Sequence, residues 1–166
     1  MRLPKRNRID QSKKLKIKHN YTQKHSFLKP NGVWYSCYNS WYSWTKREMP
    51  NWLYKYIHKI NFNKNILTDI DNKNKDKVLV LNKIRDIELF HKRYYNPNDK
   101  DFIDWAKVTK DYGGVEFSRH FSEIRQKYPW YYSLDAASGC VWNTENIIKD
   151  TGLVYEKKQD DYVKIL

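Results

Sequence analysis

The sequence predicts an α+β domain: a compact mixed sheet of short strands carrying three or four helices. Three observations predict it. After the Asn31-Gly32 turn, Val33-Trp34-Tyr35-Ser36-Cys37 is β-branched and aromatic, the composition of a strand. Val78-Leu79-Val80-Leu81 is a short, wholly apolar run that leads into apolar residues at helical spacing. Breaks at Asn31-Gly32, Pro50, Asn96-Pro97-Asn98 and Gly113-Gly114 divide the chain into short elements, among which strand candidates outnumber helices.

In chain order, residues 1–13 read as a basic flexible arm ahead of a single domain over 14–166. Lys14-Leu15-Lys16-Ile17-Lys18 alternates charged and aliphatic residues, as a half-exposed strand does. Asn39 can cap a short helix with Trp41, Trp44 and Thr45 on one inward face, ended by Pro50. Residues 53–62 form a strand, and 63–77, dense in Asn, Asp and Lys, a surface connection. Asn82 caps a helix with Ile84, Ile87 and Tyr94 inward and Phe90 nearby, broken at Asn96-Pro97-Asn98. A second helix spans 99–112 and stops at Gly113-Gly114. Val115-Glu116-Phe117 is a strand, 118–127 a third helix with Phe121, Ile124 and Tyr128 inward, and 130–134, 140–142 and 153–155 are further strands.

Of the 166 residues, seven are Trp and fourteen Tyr, so aromatic rings must supply much of the core. The net charge is +13. Residues 1–24 hold nine basic residues and one acid, a charge of +8 that leaves +5 for the other 142. Such a segment favours a polyanion, whether nucleic acid, an acidic protein surface or anionic lipid, or serves as a solubilising tail; both readings stay open. The N-terminus lacks the apolar region of a secretory signal, and no apolar run approaches the ~20 residues of a membrane span. An intracellular protein with no membrane partner is expected.

Two cysteines make no disulfide framework, and five scattered His without acidic or thiol partners in register make no metal site. Neither a phosphate-binding loop nor a dinucleotide glycine fingerprint is present. Cys140, after Ser138-Gly139, reads as an inert buried thiol ahead of a nucleophile served by His120. Two acids stand out. Glu116 follows a double-glycine turn at the mouth of the sheet, and Asp135 sits among Trp130, Tyr131 and Tyr132. An acid beside apolar rings has a raised pKa or a dedicated partner.

The segments Lys29-Pro30-Asn31-Gly32-Val33-Trp34-Tyr35-Ser36 and Trp130-Tyr131-Tyr132 … Asp135 … Ala137-Ser138-Gly139-Cys140-Val141-Trp142 resemble a family of uncharacterised phage and viral proteins. Its motifs read K-P-x-G-[LV]-W-x-S and W-Y-Y-x-x-D-x-A-S-G-C-[IV]-W, and the likeness covers roughly residues 25–148. If viral, the chain would work in the host cytoplasm or nucleus, or in the virion. A wider resemblance is to the ADP-ribosyltransferase fold, with a first strand ending in His or Arg, an aromatic-Ser strand, and a later stretch here reading Ile103-Asp104-Trp105 … Tyr112-Gly113-Gly114-Val115. That resemblance implies NAD as co-substrate. His19 would hold its ribose, Tyr35 would stack on nicotinamide, and Ser36 would support the second strand. The family's catalytic Glu opens a late strand, where this chain has Ser138-Gly139-Cys140. Asp135, or else Glu116, must take its role, or the domain is an inactive relative. The alternative is a non-enzymatic nucleic-acid-binding or virion-associated protein.

Overall fold

Valine, tyrosine and cysteine at 33, 35 and 37 face one way along their strand and Trp34 and Ser36 the other, and this alternation organises the molecule. A computed structural model describes residues 8–12, 15–23, 28–159 and 161–165. The fold is mixed α+β, a large mixed sheet with five α-helices among the described residues, two of them a single turn. The strands are β1 (Arg8–Ser12), β2 (Val33–Cys37), β3 (Tyr56–Phe62), β4 (Leu67–Thr68), β5 (Asn74–Val80), β6 (Tyr95–Asn96), β7 (Asp99–Ile103), β8 (Tyr112–Phe117), β9 (Ser138–Val141), β10 (Ile148–Lys158) and β11 (Asp161–Lys164). The helices are α1 (Ser40–Glu48), α2 (Ile84–Tyr94), α3 (Trp105–Asp111), α4 (Pro129–Tyr132) and α5 (Thr144–Ile147).

Nine strands form one sheet in the order β11-β10-β3-β1-β2-β9-β8-β5-β4, and β6 pairs with β7 apart from it. Strands β4, β5 and β8 run parallel; the other pairings are antiparallel. One face carries the largest core, where Phe90 of α2, Trp105 of α3 and Trp130 of α4 pack ring on ring against Leu79 and Phe117. On the opposite face Val33, Tyr35, Cys37 and Val141 pack with Ile147 of α5. A third cluster joins Ile9 and Ile57 to Tyr42 of α1 and Tyr162 of β11.

Helix α2 forms where its apolar spacing places it, with Ile87, Phe90 and Tyr94 buried, although Lys83 rather than Asn82 stands at its N-cap. Several expectations change. Residues 8–12 are not a flexible arm: β1 is an inner strand, antiparallel to both β2 and β3. Residues 1–7, 13 and 14 lie outside the described residues, and 15–18 form no strand. The connection over 63–77 contains β4 and the start of β5. The helix expected over 99–112 starts only at Trp105, because the Asp104 side chain accepts from the Lys107 backbone N–H at 3.1 Å and caps it there. Gly113-Gly114 lies inside β8 rather than ending a helix. Residues 118–127 hold only a short 3₁₀ turn, Ser122–Ile124, and 130–134 begin with helix α4, not a strand. Trp41 and Trp44 are half-buried and not in the core, because Tyr42 and Thr45 take the inward face of α1.

Candidate functional site

Glu116 stands one residue before the end of β8, where the parallel strands β5 and β8 deliver their C-terminal ends. In register, Glu116 faces Gly139 of β9, and Gly139 faces Tyr35 of β2. The absent side chain at Gly139 lets the Tyr35 ring lie flat across β9; a Cβ there would stand 2.3 Å from the phenol carbon. The Tyr35 hydroxyl thereby reaches across a strand and donates to Glu116 Oε2 at 2.7 Å.

Arg8, on β1 opposite Cys37, comes from the other side. Its Nε donates to Glu116 Oε2 at 2.6 Å and its Nη2 to Oε1 at 3.2 Å, a two-pronged pairing. The guanidinium carbon lies 4.4 Å from the Phe62 ring centroid, within cation–π range. Glu116 is 5% exposed, so its charge is carried largely by these donors. Arg8 and Glu116 line a cavity of about 400 Å³ together with Tyr38, Val80, Asn82 and Ser118, and Tyr35 holds Glu116 from behind that wall.

The electrostatics follow from burial and from the ion pair. Burial opposes the charge on Arg8, but the hydrogen bond and charge of Glu116 outweigh it and raise the pKa, so the guanidinium stays protonated. Burial, and then the negative Glu116, push the Tyr35 phenol up, so it remains a donor. The same two causes push the Cys37 thiol up, which leaves it a poor nucleophile. Cys140 is fully buried, its thiol raised by desolvation, consistent with an inert side chain.

A second cavity, about 220 Å³, opens on the opposite face of β2 between α1 and the loop before β9. Asp135 and Ser36 line it with Trp34, Trp41 and Tyr54. Asp135 is paired with Arg125 at 3.3 Å, and Arg125 lies over the Tyr132 ring. Ser36 accepts from the Trp41 backbone N–H at 3.0 Å and so ties the end of β2 to the start of α1.

The five residues singled out in the sequence therefore do not meet in one place. The Tyr35 hydroxyl touches Glu116, while Tyr35, Ser36 and Asp135 line the 220 Å³ cavity, which Glu116 does not reach. His19 joins neither: its side chain is 88% exposed and pairs with Glu145 at 2.8 Å. The Tyr35 ring, 3% exposed and spanning Gly139, offers no face for a nicotinamide to stack on. Arg8 was hidden from sequence reasoning, because Ile9 is the lone apolar residue of its five-residue strand and one residue gives no period.

No family model matches this chain, and neither a curated protein nor a solved structure does. Among the described residues no His, Cys, Asp and Glu side chains group as metal ligands, and no helix is long and apolar enough to cross a membrane.

Proposed function

We propose that the chain is an ADP-ribosyltransferase-like enzyme that uses NAD as co-substrate, with Glu116 as its catalytic carboxylate and Arg8 and Tyr35 holding that group in place. One observation carries the reading: a buried carboxylate on a cavity wall, fixed by an arginine from the first strand and a tyrosine from the second. The ADP-ribosyltransferase resemblance asks for a first strand ending in His or Arg. His19 lies in no strand, and Arg8 supplies the residue type on β1 but opens that strand rather than ending it.

In such a transfer the glycosidic bond between ribose C1′ and the nicotinamide nitrogen breaks. Its electron pair goes to the nitrogen and neutralises the pyridinium. Positive charge then develops on the sugar, and a nucleophile of the target attacks C1′ and loses its proton. A carboxylate held by preplaced donors stabilises that charge without reorganising. Arg8 offsets part of the Glu116 charge, so the Glu116 contribution grows if Arg8 shifts toward the substrate diphosphate. Asp135, bound to Arg125 on the opposite face, is a positioning residue of the loop before β9 in this scheme.

The test incubates the protein with labelled NAD and with candidate nucleic-acid and protein targets, following nicotinamide release and label transfer. Glu116→Asp keeps the charge but withdraws it, and is expected to lose at least about 100-fold in release while calorimetry still detects NAD. Absence of both NAD binding at millimolar ligand and nicotinamide release overturns the proposal and leaves a non-enzymatic binding protein.

A further inference from the structure

Helix α1 exposes what a helix at a sheet surface normally hides. Its inward face is taken by Tyr42 and by the fully buried Thr45, whose hydroxyl donates to the Trp41 carbonyl at 2.6 Å. Trp41 and Trp44, three residues apart, are left on its flank with ring centroids 5.4 Å apart. The following 3₁₀ turn, Pro50–Trp52, adds Trp52, 46% exposed, with its ring 6.3 Å from Trp44. At the inner end of this row, Trp41 lines the 220 Å³ cavity together with Trp34 and the exposed Tyr54. The Trp34 indole is fixed by donating to the Pro30 carbonyl at 3.2 Å, and the Lys29 ammonium lies 5.7 Å from its ring centroid. Half-buried rings thus lead from the cavity through Trp41 and Trp44 to the exposed Trp52.

Contiguous exposed aromatic surface is costly to leave in water and marks a binding face. We infer that the Trp34, Trp41, Trp44, Trp52 and Tyr54 surface binds single-stranded nucleic acid, with one base in the cavity and its neighbours stacked along α1. Base–aromatic stacking is tolerant of sequence and needs unpaired bases, which a duplex does not offer. The charge agrees with a polyanion. The chain carries +13, and Lys29 stands at the cavity. Of the acids lining the cavity Asp135 is paired with Arg125 and Asp10 lies near His58, while on α1 Arg47 is paired with Glu48 and Lys46 lies over Tyr42. Asp135, Ser36 and Ser138 give the cavity polar groups for a base edge, a carboxylate being suited to an exocyclic amine. A proline-rich peptide also docks on aromatic grooves, but it supplies no negative charge for these cations. The inference is independent of turnover at Glu116, which lies across the sheet.

The experiment titrates the full chain, without NAD, with a short single-stranded oligonucleotide, the same sequence as a duplex, and a proline-rich peptide, reading tryptophan fluorescence at fixed salt. The single strand is expected to quench the fluorescence and to bind tighter than the duplex. Trp52→Ala is expected to weaken it by about 5- to 150-fold, the scale of one lost stacking contact. Tyr54→Ala provides a second exposed site, and both variants are first checked for the parental circular dichroism. Unchanged affinity in the folded variants, equal binding of the duplex, or a peptide that displaces the oligonucleotide overturns the inference.

Discussion

The Tyr35 phenol donates to Glu116 at 2.7 Å by crossing Gly139, so a residue with no side chain decides whether two others can meet. Gly139→Ala places a methyl 2.3 Å from the ring, and neither β2 nor β9 can move without breaking their shared ladder. The expected result is a loss of about 1–3 kcal/mol or more from overpacking, read as a lower urea midpoint. A tyrosine-to-phenylalanine change at 35 keeps the ring and removes only the hydroxyl. It is expected to cost about 1.5–3 kcal/mol, the range for a hydrogen bond to a charged group.

The Arg8–Glu116 pair is predicted to be strongly coupled. Arg8→Met leaves a buried carboxylate without its cation, and Glu116→Gln leaves a guanidinium without its anion. Each single change is expected to cost about 3–5 kcal/mol, toward the lower end because Arg8 keeps some exposure. The double variant should cost less than their sum by at least about 1 kcal/mol. Additive effects in a double-mutant cycle by chemical denaturation would mean the pair is a surface contact only.

Removing residues 1–12 is predicted to abolish cooperative folding. It deletes β1 and with it the ladders on both sides, from Arg8↔Cys37 to Ser12↔Tyr56, and the buried Ile9. A domain has only about 5–15 kcal/mol to lose. A truncation ending before Arg8 keeps the strand and removes Arg2, Lys5 and Arg6, so comparing the two separates the strand from the charge. Matching sharp thermal transitions in both would refute a structural role for β1.

These positions show what the sequence could and could not reveal. Helix α2 and strand β2 were legible because their apolar residues follow one period over several positions, and the end of β5 was legible as an apolar run, whereas its polar first half, residues 74–77, read as a loop. Tyr35 and Glu116 were legible as individuals, but their contact depends on β9 lying between β2 and β8, which no local pattern encodes. Around 118–134 the inward residues were right, since Phe121, Ile124 and Tyr128 are buried, yet the backbone was wrong. There Pro129 favours extended backbone at Tyr128 and begins α4 at its first position, so the proline outweighs the apolar spacing. On α1, spacing marked Trp41, Trp44 and Thr45 as inward; Thr45 is buried, but Tyr42 rather than the two tryptophans shares that face with it.

That last difference is measurable. Trp105→Ala removes a ring packed against Phe90, Trp130 and Trp142 and is expected to cost about 3–5 kcal/mol. Trp44→Ala removes a half-exposed ring and is expected to cost less than half of that. Equal losses in urea would place Trp44 in the core after all and would remove the surface on which stacking depends.

Acid is predicted to weaken the fold through His91. The Trp130 indole N–H donates to its Nδ1 at 3.1 Å, so that nitrogen must be unprotonated. Burial, and then the nearby Lys127 charge, hold its pKa below the ordinary imidazole value of 6.5. Between the folded and unfolded values the unfolded chain binds more protons, so stability rises with pH there. The contribution is complete above about pH 6.5 and is lost as pH falls toward the lower folded value. His120, also lowered mainly by burial, adds to the same trend. Urea midpoints at about pH 7.5 and about pH 5.5 should therefore fall on the acid side. His91→Gln offers an amide oxygen to the same indole N–H and cannot titrate. It should flatten the slope, while an unchanged slope would assign the acid sensitivity to carboxylates instead.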